Sequence, residues 1–254
     1  MRYSERHARL KLILREEGLE KLFGATVLVL GLGGVGSACA EALARGGVGR
    51  LVILDCDVIE ESNINRQALA FSSTLGRRKP EVMAEMIHEI NPDCQVTVRD
   101  IKLMPDNVSD VLSALPRPDY VLDCIDTISQ KLAVAQWCAE RGIYLLSAMG
   151  AANKLDPSHL RVAQIRRTQN CPMAKVIRHE ALVRGIRGIE VLYSAEEPVR
   201  VANPGARTKG ETLGSMSYMP PIMGQMMAGV AIRRLAGLEP FPNAPRMRKE
   251  TADA

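Results

Sequence analysis

The chain predicts an α/β fold: a doubly wound, mainly parallel sheet followed by a C-terminal α+β extension. Three observations predict it. Short apolar runs rich in Val and Leu alternate with helix-length segments through the first 150 residues. The first run ends on the glycine turn Gly31-Leu32-Gly33-Gly34-Val35-Gly36. Beyond Gly150 the regular alternation stops, and shorter strand-like and helical stretches follow.

The elements follow in order. Thr26 to Leu32 (TVLVLGL) reads as a buried strand, broken by Gly33 and Gly34, and Ser37 to Ala44 as a helix of small residues packed close to the sheet. Val52 to Leu54 is a second strand ending at Asp55. Glu81 to Ile90 is helical; Pro80 suits its first turn, and Lys79 lies just before Pro80. Gln95 to Val98 is the third strand and Pro105 to Leu115 a helix. Tyr120 to Ile125 is a strand ending at Asp126, Ser129 to Arg141 a helix and Ile143 to Ser147 the fifth strand. In the extension, Leu160 to Ile165 and Val191 to Ser194 are strand-like, and Pro172 to Val183 is helical. Pro220 to Leu235 is a Met-rich helix for the core or a dimer interface. Its uncharged run is too short for a membrane span, which needs about 20 apolar residues. The expected organisation is a Rossmann-like nucleotide-binding unit over 1–150 with an N-terminal helix, an extension of the same fold unit over 151–238, and a loose tail over 239–254.

The glycine turn sets the chemistry. Strand, Gly-rich turn and helix bring backbone N–H groups and a helix N-terminus to one point, where phosphate binds. A tight β–α turn with no ligand would use the same glycines. Asp55, about 20 residues on, suits ribose hydroxyls. The polar stretch after it carries Asn63 and Arg66, three apart and on one face of a turn. Arg66 offers a planar fork of donors to phosphate oxygens, and Lys79 an ammonium. Either cation alone reads as an ordinary surface charge; with Asn63 behind a glycine turn they read as a triphosphate grip. Asp126, at the carboxyl end of a strand, faces the ligand crevice and suits Mg²⁺, although a helix N-cap would also use it.

This combination resembles the ubiquitin-activating-type adenylyltransferase superfamily, which includes the molybdopterin-synthase and thiazole-biosynthesis adenylyltransferases. The shared marks are GxGGxG, DxD, NxxR, a Lys before a helix, and DxxD, here Asp123 and Asp126. The resemblance implies ATP at Gly31, Gly33, Gly34, Gly36, Asp55, Asn63, Arg66, Lys79 and Asp126, with Mg²⁺ on Asp126. Arg9 matches an arginine that reaches into a partner subunit's ATP site, which implies a homodimer. Arg66, Lys79, Asp126 and Arg9 are the implied catalytic set.

Within the superfamily the sequence is similar to the tRNA threonylcarbamoyladenosine dehydratase branch. Glu16 to Leu22, Met149 to Pro157, Cys171 to Val176, Tyr193 to Pro198 and Gly214 to Pro220 carry that likeness. It implies ATP-dependent cyclisation of the threonylcarbamoyl group on adenosine 37 of tRNA. The carboxylate would be activated as an acyl-adenylate, and the carbamoyl nitrogen would close the ring and expel AMP. A sulfur-mobilising partner is left open. The six cysteines contain no CxxC, which argues against the structural zinc common in relatives that activate ubiquitin-like proteins. Leu213 to Ser217 holds serines and no cysteine, so a catalytic thiol at that place is ruled out.

Composition narrows the rest. With 46% hydrophobic residues the chain can bury a full core, and 4% aromatics leave little for base stacking. Residues 1–160 hold 18 Lys and Arg against 21 Asp and Glu, and residues 161–254 hold 15 against 8, so a net of −3 gives way to +7. Arg161, Arg166, Arg167, Lys175, Arg178, Arg184, Arg187, Arg200, Arg207 and Lys209 form a surplus suited to a phosphate backbone, or to an ordinary solvated face. Unpaired cysteines and a charged N-terminus predict a cytoplasmic protein. Three rivals stand beside the dehydratase reading: adenylation of a ubiquitin-like sulfur carrier, an NAD-dependent oxidoreductase, and a non-catalytic nucleotide-binding scaffold. Against the oxidoreductase, His7, His88, His159 and His179 show no catalytic pattern.

Overall fold

A computed structural model describes residues 5–202 and 213–248. Helix α1 (Ala8–Gly24) is two helical halves joined at Arg15, whose φ of 59° breaks the helix. The halves fold back on each other, so that the His7 and Phe23 rings meet edge to face at 5.1 Å. Strand β1 (Thr26–Leu30), helix α2 (Gly34–Arg45) and strand β2 (Arg50–Asp55) make the first β–α–β unit. Helix α3 (Lys79–Ile90), strand β3 (Gln95–Asp100), helix α4 (Val108–Ser113), strand β4 (Tyr120–Asp123), helix α5 (Ile128–Arg141) and strand β5 (Leu145–Ala148) complete the alternating half. Strand β6 (Leu160–Gln164), helix α6 (Pro172–Val183), strands β7 (Ile186–Arg187) and β8 (Glu190–Ser194), helix α7 (Met219–Leu235) and strand β9 (Arg246–Met247) follow.

The main sheet has seven strands in the order β3-β2-β1-β4-β5-β8-β6. All pairs are parallel except β6 with β8. The order reverses between β1 and β4, and that reversal opens a crevice at the carboxyl ends of those strands. The fold is the expected doubly wound α/β. The extension adds two strands to the same sheet, and strand β5 starts two residues later than expected.

Apolar side chains fill both sides of the sheet. On one, Met219, Met223, Met227, Ala228 and Ala231 of α7 join Cys39, Ala40 and Leu43 of α2. Gly224 makes this close approach possible: a Cβ there would lie 2.2 Å from the Val35 carbonyl oxygen. The Met-rich helix is therefore a core element. Among the described residues, no helix is long and apolar enough to cross a membrane. At its end Arg234 is partly buried, pairs with both Glu190 carboxylate oxygens at 2.6 and 2.9 Å and donates to the Tyr120 hydroxyl.

The stretch expected as a loose tail is packed as far as residue 248. Phe241 stacks on Tyr144 at 4.3 Å and meets Tyr120 edge to face, while Arg246–Met247 pairs with Ile186–Arg187. Pro240, Pro242 and Pro245 favour a loose segment, but an aromatic anchor and two ladder residues outweigh them. Arg207, Lys209 and the end of the tail lie outside the described residues.

Candidate nucleotide-activating site

The crevice is a cavity of about 1060 Å³. It gathers Gly31, Gly33, Gly34, Asp55, Asn63, Arg66, Lys79 and Asp126 from five separate parts of the chain. Each is placed by a local device.

The glycines have different jobs. Gly31 has φ +82° and donates its N–H to Leu54 O at 2.8 Å, which leads the chain off the end of β1. A Cβ on Gly36 would stand 1.7 Å from the Gly31 carbonyl oxygen, so Gly36 lets α2 press onto the strand end. It does not line the cavity among the described residues, and its lack of a side chain serves packing. Gly34 sits under the Arg66 side chain, and a Cβ there would meet Arg66 Cγ at 3.2 Å. Gly33 is open on its cavity side: the nearest atom to its virtual Cβ is Gln67 Nε2 at 4.0 Å. The N-terminus of the 12-residue α2 thus presents uncapped backbone N–H groups to the cavity.

Asp55 is almost buried at the end of β2. One carboxylate oxygen accepts the Leu32 N–H at 2.5 Å and the other accepts the Asp57 N–H at 2.8 Å. Each oxygen keeps lone-pair capacity for a hydroxyl. Asn63 ends a single 3-10 turn (Glu61–Asn63), and its Oδ1 accepts the Glu60 N–H at 3.2 Å. Arg66 N–H donates to Asn63 O at 3.1 Å, so the two side chains hang from consecutive turns as the spacing required. The Arg66 guanidinium donates to Ser62 O at 2.9 Å and to Asn65 Oδ1 at 3.0 Å, and pairs with no carboxylate among the described residues. Its charge remains available to a ligand.

Lys79 opens α3, two residues before the expected start, with Pro80 next to it in the first turn. A short antiparallel contact sets its position: Ile59 N–H donates to Arg77 O at 2.9 Å and Lys79 N–H to Asp57 O at 3.0 Å. Its ammonium then donates to Asp57 Oδ2 at 2.9 Å. Burial works to raise the Asp57 carboxyl, but the hydrogen bond and charge of Lys79 outweigh it and leave the group below its ordinary 3.8. Sequence reading assigned Asp57 no role; only its membership of DxD marked it.

Asp126 is exposed in the cavity wall and accepts from Thr127 Oγ1 at 3.2 Å. Thr127, not Asp126, is the N-cap of α5, and it makes no side-chain cap. The Asp126 carboxylate is therefore free of that helix and suited to a hard cation. Asp123, the other half of DxxD, is fully buried, takes Lys131 Nζ at 3.0 Å and Ser147 Oγ at 2.6 Å, and stiffens the cavity floor. Nothing in the sequence around Lys131 announced this pair.

Two thiols line the cavity, Cys56 and Cys124. Burial, Asp57 and Asp55 push the Cys56 thiol up, which disfavours the nucleophilic thiolate. Asp55, Cys56 and Asp57 also form the one set of acidic or thiol groups close enough to share a metal among the described residues. The far wall is Met149 to Ala152, with Leu213 and Ser215. Asn153 ties that wall together: Gly214 N–H donates to its Oδ1 at 2.7 Å, and Val199 N–H to its carbonyl at 2.8 Å.

Arg9 lies elsewhere. It is exposed on the first half of α1, which sits with His7 against Gly47, before the start of β2. That is the end of the sheet away from the crevice, so Arg9 does not line its own chain's cavity among the described residues.

Residues 4–252 match the family model described as ThiF family. The chain belongs to the ThiF family. It is 38% identical over 239 residues to the tRNA threonylcarbamoyladenosine dehydratase of Bacillus subtilis, covering 90% of this chain and 93% of that one. Its fold superposes on the Escherichia coli tRNA N6-threonylcarbamoyladenosine dehydratase TcdA in complex with ATP with a TM-score of 0.83, at 31% identity, over 92% of this chain and 97% of that one. The Escherichia coli ThiS sulfur-carrier adenylyltransferase is 35% identical, but over 52% of this chain and 51% of its own. ThiF-family likeness to the dehydratases thus runs through both the glycine-turn half and the extension.

Proposed function

We propose that this chain is an ATP-dependent tRNA threonylcarbamoyladenosine dehydratase. One observation carries the reading. A single cavity joins an open glycine turn, a ribose-suited Asp55 and two cations, Arg66 and Lys79, in a chain whose likeness to a named dehydratase covers nine tenths of its length.

The substrate carboxylate at adenosine 37 attacks the α-phosphorus of ATP. A new O–P bond forms, the bond to the β-phosphate breaks, and pyrophosphate leaves with the electron pair. A carboxylate is inert to attack because its leaving group would be oxide; AMP makes the carbonyl reactive. Ring closure then expels AMP. Catalysis is placement and charge neutralisation, which an amide, two cations and backbone N–H groups supply. Asp126 would hold Mg²⁺, which would neutralise charge on the departing pyrophosphate. Neither a protein thiol nor zinc enters this reading.

The rest of the reading is organisation. Residues 1–150 bind ATP, and residues 151–238 extend the same unit toward a dimer partner and tRNA. Leu12 and Ile13 are 80% and 72% exposed beside Arg9, which favours a second copy of the chain covering them and Arg9 acting in the partner's site. Arg166, Arg167, Lys175, Arg184, Arg187 and Arg200 are exposed, and Lys175 follows Met173 of the cavity wall, so the basic face begins at the site and suits tRNA phosphates. The work belongs in the cytoplasm, with its tRNA.

ATP–pyrophosphate exchange tests the reading. It should appear with tRNA carrying threonylcarbamoyladenosine, and mass spectrometry of the nucleosides should show loss of one water. Exchange only with a ubiquitin-like carrier protein would replace it by the sulfur-carrier alternative.

A further inference from the structure

The side-chain amide of Gln130 is held in the cavity wall and is almost unused by the protein. It stands in the first turn of α5, lines the cavity and is 8% exposed. Its Nε2 donates only to the Met104 thioether at 4.0 Å, a weak acceptor. Its Oε1 accepts no hydrogen bond among the described residues, yet it is not sealed off and opens on the cavity. A buried amide left this way costs stability that a methionine of similar size would not. Such a group points to a ligand that both donates and accepts.

The sheet sorts the cavity walls into two sides. Ile53 and Leu54 are neighbours on β2, so they point to opposite faces. Ile53 packs with Val82 and Met83 of α3, and Leu54 packs with Leu103 and with Leu132 of α5. The two cations belong to the first face: Lys79 opens α3, and Arg66 lies against Gly34 of α2. Gln130 belongs to the second, with Ile101, Leu103 and Ile125 beside it in the cavity wall. Asp55 ends β2 at the boundary, and its carbonyl accepts the Ile101 N–H at 3.2 Å.

A ribose carries its base and its phosphates on different carbons. A nucleotide with its ribose hydroxyls on Asp55 and its phosphates on Arg66 and Lys79 therefore extends its base over the second face. The wall there is aliphatic, which suits the faces of a purine ring, and Gln130 sets one amide in it. We propose that Gln130 is the residue that selects adenine, its Oε1 accepting from the N6 amino group and the second Nε2 hydrogen going to N7. A glutamine amide matches that donor and acceptor pair. Guanine presents two acceptors on the same edge, O6 and N7, and would set an oxygen against Oε1. This rests on the ATP reading above and adds the base specificity of that site.

The test is equilibrium titration of the full chain and of Gln130→Met with ATP, GTP and 7-deaza-ATP, in which a C–H replaces N7, with thermal melts of both proteins. The unaltered protein should bind ATP at least about tenfold more tightly than either analogue. Gln130→Met should melt no lower, bind ATP about tenfold more weakly, and hold ATP and 7-deaza-ATP within about twofold of each other. Equal affinity of the unaltered protein for ATP and 7-deaza-ATP overturns the assignment, whatever the variant does. Undiminished preference for ATP in the folded variant overturns it too. No ATP binding by the unaltered protein overturns the ATP reading, and this assignment with it. If the expected binding pattern appears but tRNA elicits no pyrophosphate exchange, the assignment stands and the dehydratase reading alone falls.

Discussion

Lys79 Nζ lies 2.9 Å from Asp57 Oδ2, with 7% of the lysine side chain exposed and 63% of the aspartate's. The ammonium is thus held inside the site by a carboxylate at its rim. A triphosphate entering the cavity meets a cation whose position is fixed and whose partner faces solvent. Lys79→Ala should leave the fold intact and lower turnover at least about tenfold, the worth of one charge-assisted phosphate contact. Arg66→Ala should do the same. Near-normal turnover in both, measured by pyrophosphate exchange, would favour the non-catalytic scaffold.

The same pair predicts a pH dependence. The Asp57 carboxyl is depressed below 3.8 in the folded chain. Its contribution to stability is therefore present above the ordinary carboxylate value and lost as the pH falls through the lower folded one. Melting temperatures of the unaltered protein and Asp57→Asn should differ at neutral pH and converge in acid below 3.8. A gap that persists to low pH would show that the ion pair contributes nothing.

Gly33 and Gly36 should respond oppositely to the same change. Gly33→Ala meets nothing closer than Gln67 Nε2 at 4.0 Å and has no positive φ to strain. It should fold normally and bind ATP more weakly, because the methyl occupies the phosphate's approach. Gly36→Ala puts a Cβ 1.7 Å from Gly31 O and should cost stability by about 3 kcal/mol. Paired denaturant melts and ATP titrations separate the two effects.

Lys131 and Asp123 are both fully buried, 3.0 Å apart. Lys131→Met should destabilise by about 3–5 kcal/mol because it strands a buried carboxylate. Adding Asp123→Asn should recover part of that loss. If the double variant is as unstable as the sum of the single ones, the two groups are not coupled.

Arg9 and Lys79 lie toward opposite ends of the sheet, so in the dimer reading they serve one site from two chains. Mixing inactive Arg9→Ala with inactive Lys79→Ala should restore about a quarter of normal activity, since half the dimers are mixed and each holds one complete site. A mixture as inactive as its parts would place Arg9 outside the chemistry.

The sequence by itself determined the alternation of strand and helix, the glycine turn, and the set Asp55, Asn63, Arg66, Lys79 and Asp126, because local periodicity and short spacings encode them. Tertiary structure alone decided what distance in sequence hides. It assigned Gly36 to packing on Gly31, paired Asp123 with Lys131, gave Asp57 to Lys79, turned the Met-rich helix into core, and fixed Phe241 on Tyr144. It also left Gln67 Oε1 without a hydrogen-bond partner among the described residues. The physical reason is the same in each case: burial and hydrogen-bond satisfaction belong to neighbours in space, and the chain's order does not contain them.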